Sequence, residues 1–204
     1  MSTTIPFTEP FESFDAWLKL AGESELNDPN AMTLATVDAD GLPNARIVLL
    51  KGHGQDGFRF FTNYESTKGG ELLGQGKAAL LFHWKSLRRQ VRIRGAVSQL
   101  SPADSDAYFA TRARESRLGA LASQQSRPLP GGNQGLLDAV AAQRARFEGV
   151  QDPPRPDYWG GFLLDPTEIE FWIEGDYRIH ERHRWHRQGG LDGQDGWTGG
   201  QLFP

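Results

Sequence analysis

The sequence predicts a mainly β protein with helices, an α+β chain built as an antiparallel barrel or sandwich. Three observations carry this. Five strand-like runs follow one another between residues 32 and 100, with one short helical stretch among them. Three more runs, Trp159–Leu164, Glu168–Trp172 and Tyr177–His186, close the chain. Helical periodicity is otherwise confined to residues 11–21 and to an insertion of about 101–150, inside one expected domain over 11–204.

Composition narrows the function classes. The 204 residues carry a formal charge of −4, which points to neither a nucleic acid nor an anionic membrane as partner. Six Trp and twelve Phe supply core surface, roughly 150–250 Å² for each ring that is fully covered. The absence of cysteine excludes disulfides, thiolate metal sites and Cys nucleophiles, and fits a reducing cytoplasm. No apolar run approaches the ~20 residues of a membrane span. MSTTIPFTEPFESF has no basic segment followed by an apolar one, so no secretion signal is expected.

Residues 1–10 read as a loose arm. Phe11, Phe14, Trp17, Leu18 and Ala21 then recur at helical spacing, with Thr8 as candidate N-cap and Pro10 suited to the first turn. Met32–Val37, the turn Asp38–Gly41 and Asn44–Lys51 predict a hairpin. Phe58–Thr62 is the third strand. Ser66 is placed to cap a short helix through Leu73, ended by Gly74 and Gly76. Ala78–Trp84 and Arg88–Leu100 complete the run. Ser101, Pro102 and Asp104 make a helix start, leading through Tyr108 towards Arg112. A second helix is expected over Ser116–Ser123, a Pro/Gly loop over Ser126–Gln134, and an amphipathic helix from Leu136 to Phe147. A Gly-rich turn over Gln188–Gly196 precedes the last short segment.

Four stretches could carry chemistry. RIVLLK, residues 46–51, is apolar on both faces, as in a strand inside a sheet or at an interface; Arg46 and Lys51 at its rims are either solvated ends or anion ligands. Five positions apart, they leave a regular strand on opposite faces. Arg88, Gln90, Arg92 and Arg94 share one face, either solvated or turned to an anion or a subunit. Tyr108, Arg112 and Ser116 at i, i+4 and i+8 lie on one stripe of a continuous helix, where a phenol, a guanidinium and a hydroxyl suit a phosphate; an incidental surface stripe is the alternative. Asp176, Arg178, His180, Arg182, Arg184 and His186 alternate along one strand, with a cationic neighbourhood that favours neutral imidazole at His180. There is no GxGxxG, Walker lysine loop, GxSxG elbow or HExxH.

Read together, RIVLLK at 46–51, FFTNYESTKGGEL at 60–72, LLFHWKSLRRQVRIRG at 80–95, YFATRARESRLGALASQQS at 108–126 and WGGFLLDPTEIEFWIEGDYRIHER at 159–182 resemble the pyridoxamine/pyridoxine 5′-phosphate oxidases. The resemblance implies an FMN-binding split β-barrel, a homodimer with the flavin in clefts between subunits. By position, FMN would be held by Arg46, Ile47, Val48, Leu49, Leu50, Lys51, Phe61, Thr62, Thr67, Lys68, Gln90, Gln125, Ser126, Trp172 and Arg182. Lys51, Tyr108, Arg112 and Ser116 would take the substrate phosphate, with Arg178 and His180 over the pyridine ring as the catalytic pair. The implied reaction passes a hydride from the substrate C4′ to the flavin and returns the electrons to dioxygen as hydrogen peroxide. Departures are the lack of Arg, Lys or Tyr in residues 1–10, Thr67 and Phe61 where the family commonly has Arg and Tyr, and Gln201 in the C-terminal pattern. The alternatives are another FMN split-barrel oxidase of phenazine-pathway type and a non-catalytic flavin- or pyridoxal-phosphate-binding protein.

Overall fold

The structure, a computed structural model, describes Phe7, residues 9–188 and residues 196–204. Thr8, most of the expected arm and most of the Gly-rich turn lie outside the described residues. Helix α1 (Pro10–Ser24) is capped by the Glu9 carboxylate, which accepts from the backbone N–H groups of Phe11 and Glu12. Pro10 at the first turn has no amide hydrogen to leave unsatisfied there.

Among the described residues nine strands make one antiparallel sheet: β1 (Ala31–Val37), β2 (Pro43–Leu49), β3 (Gly52–Gly54), β4 (Gly57–Asn63), β5 (Lys77–Trp84), β6 (Arg89–Gln99), β7 (Trp159–Ile173), β8 (Glu181–Gln188) and β9 (Gly196–Gln201). The order is β2-β1-β5-β6-β7-β4-β3, with β8 on β7 and β9 on β8. Helix α2 (Thr67–Gln75) separates β4 from β5; α3 (Pro102–Thr111), α4 (Arg114–Ala122) and α5 (Gly132–Arg146) lie between β6 and β7. The core is largely aromatic: Phe11, Phe14 and Trp17 of α1 pack on Phe58, Phe82, Trp84 and Phe171 of the sheet.

Four expectations change. Residues 159–173 form one strand, not two. The Asp165–Pro166 interruption is absorbed at a register shift against Arg94 and Gly95, where a Cβ on Gly95 would stand 1.9 Å from the Asp165 carbonyl oxygen. The RIVLLK stretch is not inside the sheet: β2 is an edge strand, with Ile47 64% exposed and Leu49 36%. The Tyr108–Ser116 stripe is not one helix, because Arg112 has an extended conformation (φ −74°, ψ 145°) between α3 and α4. The last long strand begins at Glu181; residues 176–178 form a 3₁₀ turn instead. The alternation that set Arg178 and His180 on one strand face with Arg182 therefore does not hold.

Candidate active site

The site starts from the end of β4. Ser66 Oγ accepts from Gly69 N–H at 3.2 Å and caps α2, as its sequence position predicts. The first turn of α2 then carries Lys68 to the wall of a cavity of about 510 Å³. Lys68 Nζ donates to Gln125 Oε1 at 2.8 Å, and Thr62 Oγ1 donates to the same oxygen at 3.3 Å. Burial lowers the Lys68 pKa from the usual lysine value; the nearby Arg46 cation lowers it further and Glu71 opposes this.

The opposite wall is aromatic. Phe61 stacks on Tyr108 with ring centroids 3.8 Å apart, and Tyr108 lies nearly parallel to Trp159 at 6.2 Å. The Arg112 guanidinium sits 4.7 Å from the Trp159 ring centroid. Its Nη1 is buried with no hydrogen-bond acceptor among the described residues, and burial lowers its pKa from the usual arginine value. The helix break at Arg112 does not scatter the stripe: Tyr108, Arg112 and Ser116 all line this cavity, as do Lys51, Ile47, Val48 and Leu49. β2 ends at Leu49, so Lys51 is freed from the strand alternation that would have turned it away. Lys51, Lys68 and Arg112 bring three cations to the lining, and among the described residues no carboxylate joins them. Such a cavity suits an anion with several acceptor oxygens.

Other expected residues lie elsewhere. Arg46 is a clamp rather than part of this lining: its Nη2 donates to Glu71 at 3.0 Å, and Thr36 and the Leu34 carbonyl oxygen accept from its Nη1. Burial pushes the Glu71 pKa up, but hydrogen bonds from Asn44, Thr36 and Arg46 hold it below the usual carboxylate range. Leu50 is buried in the core. Thr67 is exposed on α2. Ser126, with φ 71°, lines a neighbouring recess beside Gln125. Gln90, Trp172 and Arg182 line a separate recess of 290 Å³.

Arg178 and His180 line neither cavity. They belong to a turn in which Tyr177 and Arg178 both take left-handed backbone (φ 54° and 65°) and Tyr177 is 96% exposed. His180 Nδ1 accepts from Gly175 N–H at 3.2 Å, which leaves Nε2 as the nitrogen turned to other partners, and the ring packs 4.7 Å from Trp172. The sequence reading missed Trp159 and Asn63. An aromatic residue before Gly160-Gly161 was the available signal, because these glycines let β7 pass close to Tyr64 and Phe61.

The family model described as pyridoxamine 5′-phosphate oxidase matches residues 19–145, and the pyridoxine 5′-phosphate oxidase C-terminal dimerisation region matches residues 159–204. A pyridoxine/pyridoxamine 5′-phosphate oxidase of Novosphingobium aromaticivorans is 54% identical over 200 residues, 98% of this chain and 96% of the relative. One of Rhizobium etli is 59% identical over 179 residues, 88% and 86% of the two chains. Among solved structures, PhzG from Burkholderia lata 383 in complex with tetrahydrophenazine-1-carboxylic acid superimposes with a TM-score of 0.88 at 30% identity over the whole of both chains. A pyridoxamine 5′-phosphate oxidase-related, FMN-binding protein from Nostoc punctiforme, 20% identical with a TM-score of 0.75 over 96% of this chain and 98% of its own, shares the fold. The chain belongs to the pyridoxamine 5′-phosphate oxidase family.

Proposed function

We propose that the chain is an FMN-dependent oxidase that converts pyridoxine or pyridoxamine 5′-phosphate to pyridoxal 5′-phosphate, with dioxygen as electron acceptor and hydrogen peroxide as product. The observation that carries this is the Nη1 of Arg112, buried without an acceptor among the described residues, in a cavity whose described lining has three cations and no carboxylate. A buried donor without an acceptor costs about 1–3 kcal/mol, which a phosphate oxygen would remove.

Donors form two groups along that cavity. Lys68, Gln125 and Thr62 stand at the α2 end and would hold the flavin phosphate, where a cation and a helix N-terminus act together. Tyr108, Arg112, Ser116 and Lys51 would hold the substrate phosphate. Bound FMN supplies a two-electron acceptor that dioxygen regenerates. Arg178 can cover the pyridine ring, and His180 can offer its Nε2 proton to a ring substituent.

The site is completed by a second copy of the chain. Trp159 and Trp172 mark the two recesses and stand at opposite ends of β7. Thirteen steps of about 3.3 Å give a contour of roughly 40 Å, too long for one flavin to join both recesses of a single chain along that strand. The match to a dimerisation region supports a homodimer in which one chain's cavity faces the partner's β6–β8 recess and 175–180 turn. The exposed apolar edge of β2 suits burial in that contact. The cysteine-free composition fits a cytoplasmic site of action, and no described helix is long and apolar enough to cross a membrane.

The PhzG likeness favours a second reading, a larger phenazine-type substrate. The donors grouped on Tyr108, Arg112 and Ser116 favour the phosphate ester. Oxygen uptake with pyridoxine 5′-phosphate by FMN-loaded protein separates them. Turnover with that ester, and little with the unphosphorylated alcohol, is the expected result; equal rates would remove the phosphate reading.

A further inference from the structure

Three cross-strand rows stand side by side on one face of β6, β7 and β8. In the first, Trp172 is paired with Gln90 on one side and Arg182 on the other. In the second, Glu170 lies between Arg92 and Arg184; in the third, Glu168 lies between Arg94 and His186. Residues two apart on a strand share a face, so the rows open to the same side. The first row holds three of the residues given above to the flavin. The second had no part in that assignment.

Glu170 is 5% exposed and its carboxylate is divided between two guanidinium groups. Oε1 accepts from Arg182 Nε at 2.9 Å and lies 2.8 Å from Arg182 Nη2. Oε2 accepts from Arg92 Nη2 at 2.6 Å. The remaining terminal nitrogen of Arg182, Nη1, donates to the Phe203 carbonyl oxygen at 3.0 Å. Glu170, Arg92 and Pro204 join Gln90, Trp172 and Arg182 around the same recess. Nε and Nη1 of Arg182 each donate one hydrogen bond and Nη2 is ion-paired, so the guanidinium plane is fixed and its other N–H groups keep set directions.

We propose that Glu170 is a positioning residue for flavin binding: it sets the Arg182 guanidinium so that its remaining N–H groups face the FMN in the dimer cleft. A buried carboxylate is a costly way to fill a sheet face, and apolar residues of similar volume often serve packing as well or better. What the carboxylate adds is direction. It holds a planar fork of donors at a set angle, beside a tryptophan wall and against the C-terminal segment. Because Arg92 shares the other oxygen, the carboxylate cannot swing to follow Arg182 without breaking a second bond.

The inference rests on the reading that Gln90, Trp172 and Arg182 hold FMN, and the test separates the two. Apoprotein is titrated with FMN, and the dissociation constant is read from quenching of flavin fluorescence. Absence of binding by wild-type apoprotein would overturn the function itself, with no variant involved. Given wild-type binding, Arg182→Ala should raise Kd about tenfold or more, the loss expected for charge-assisted hydrogen bonds. Glu170→Gln, nearly isosteric but uncharged, should raise it comparably. The double variant Glu170→Gln/Arg182→Ala should bind no more weakly than Arg182→Ala alone. A purely structural Glu170 predicts instead that the two losses multiply, or that Glu170→Gln leaves Kd unchanged; either result overturns the proposal. If Glu170→Gln apoprotein does not fold, Arg182→Lys with Glu170 intact decides. Lysine keeps the charge but not the fork, so Kd should rise about tenfold, and a wild-type Kd would count against the positioning role.

Discussion

The cavity at the ends of β2 and β4 and the turn at residues 175–180 handle their polar groups in opposite ways. In the cavity, Lys68 is tied to Gln125 and Arg112 is held against Trp159 before any ligand arrives. At the turn, Tyr177 and Arg178 sit in left-handed backbone with their side chains in solvent, and only His180 is anchored, through Gly175. On the proposed reading, the first region is a receptor and the second a reaching element whose target lies on the partner chain. Binding is therefore expected to depend on the first and turnover on the second.

The strongest way to break this contrast is Arg178→Ala. It should keep FMN, as judged by flavin absorbance, yet lose about 10²-fold or more in kcat/KM for pyridoxine 5′-phosphate, because only positioning at the reacting carbon is removed. Near-wild-type turnover would take the turn out of the site. The dimer sharpens the point. Co-refolding equal amounts of Arg178→Ala and Arg112→Ala chains, assayed at substrate well below the Arg112→Ala KM, should regain about a quarter of wild-type activity, since random pairing makes half the dimers mixed and gives each mixed dimer one intact composite site. No recovery would mean that cavity and turn act within one chain.

Arg112→Ala alone should act mainly on binding. Loss of a charge-assisted contact of about 1.5–3 kcal/mol predicts a KM for the phosphate ester raised roughly 10- to 100-fold, with FMN retention unchanged. Initial-rate kinetics on pyridoxine 5′-phosphate checks this, and an unaltered KM would count against the phosphate site.

A smaller effect concerns pH. The Lys68 pKa is lowered in the free protein, and an FMN phosphate beside it would raise it again. Affinity for FMN should therefore be full below the free-protein value and fall as pH rises through it, starting below the usual lysine range. Fluorescence titrations across alkaline pH should show this decline in wild type and not in Lys68→Arg. The smallest effect is expected at the cap: Ser66→Ala should destabilise the fold by about 1 kcal/mol, read from chemical denaturation, with little change in KM.

Legibility in the sequence followed the length scale of the rule involved. Ser66 and Ser101 were readable as caps because capping is settled within three residues, and both accept from the predicted amide. Gln90, Arg92 and Arg94 along β6 were readable from alternation, whereas Arg88, expected in the same row, precedes the strand with φ 53°. The Arg112 stripe lines one cavity, but not as one helix: the three side chains are brought there by two short helices joined at an extended Arg112, which spacing cannot encode. The placement of Arg178 and His180 on one strand face failed for a related reason. Alternating cations continue smoothly into β8, and nothing local announces that residues 176–178 take a 3₁₀ turn with non-glycine residues in left-handed backbone. Glu170 escaped attention because its significance lies in Arg92 and Arg182, 78 and 12 positions away.

That left-handed turn has a consequence for anyone who engineers this enzyme. Each non-glycine residue at positive φ stores of order 1–3 kcal/mol. Glycine at 177 would release part of that strain, so a library ranked by heat resistance alone would be drawn to it. The same change would loosen the segment that carries Arg178, and the most thermostable clones would be among the poorest oxidases. Scoring melting temperature and oxygen uptake on one set of position-177 variants should order them in opposite directions. A matching order would show that the turn's shape is indifferent to catalysis.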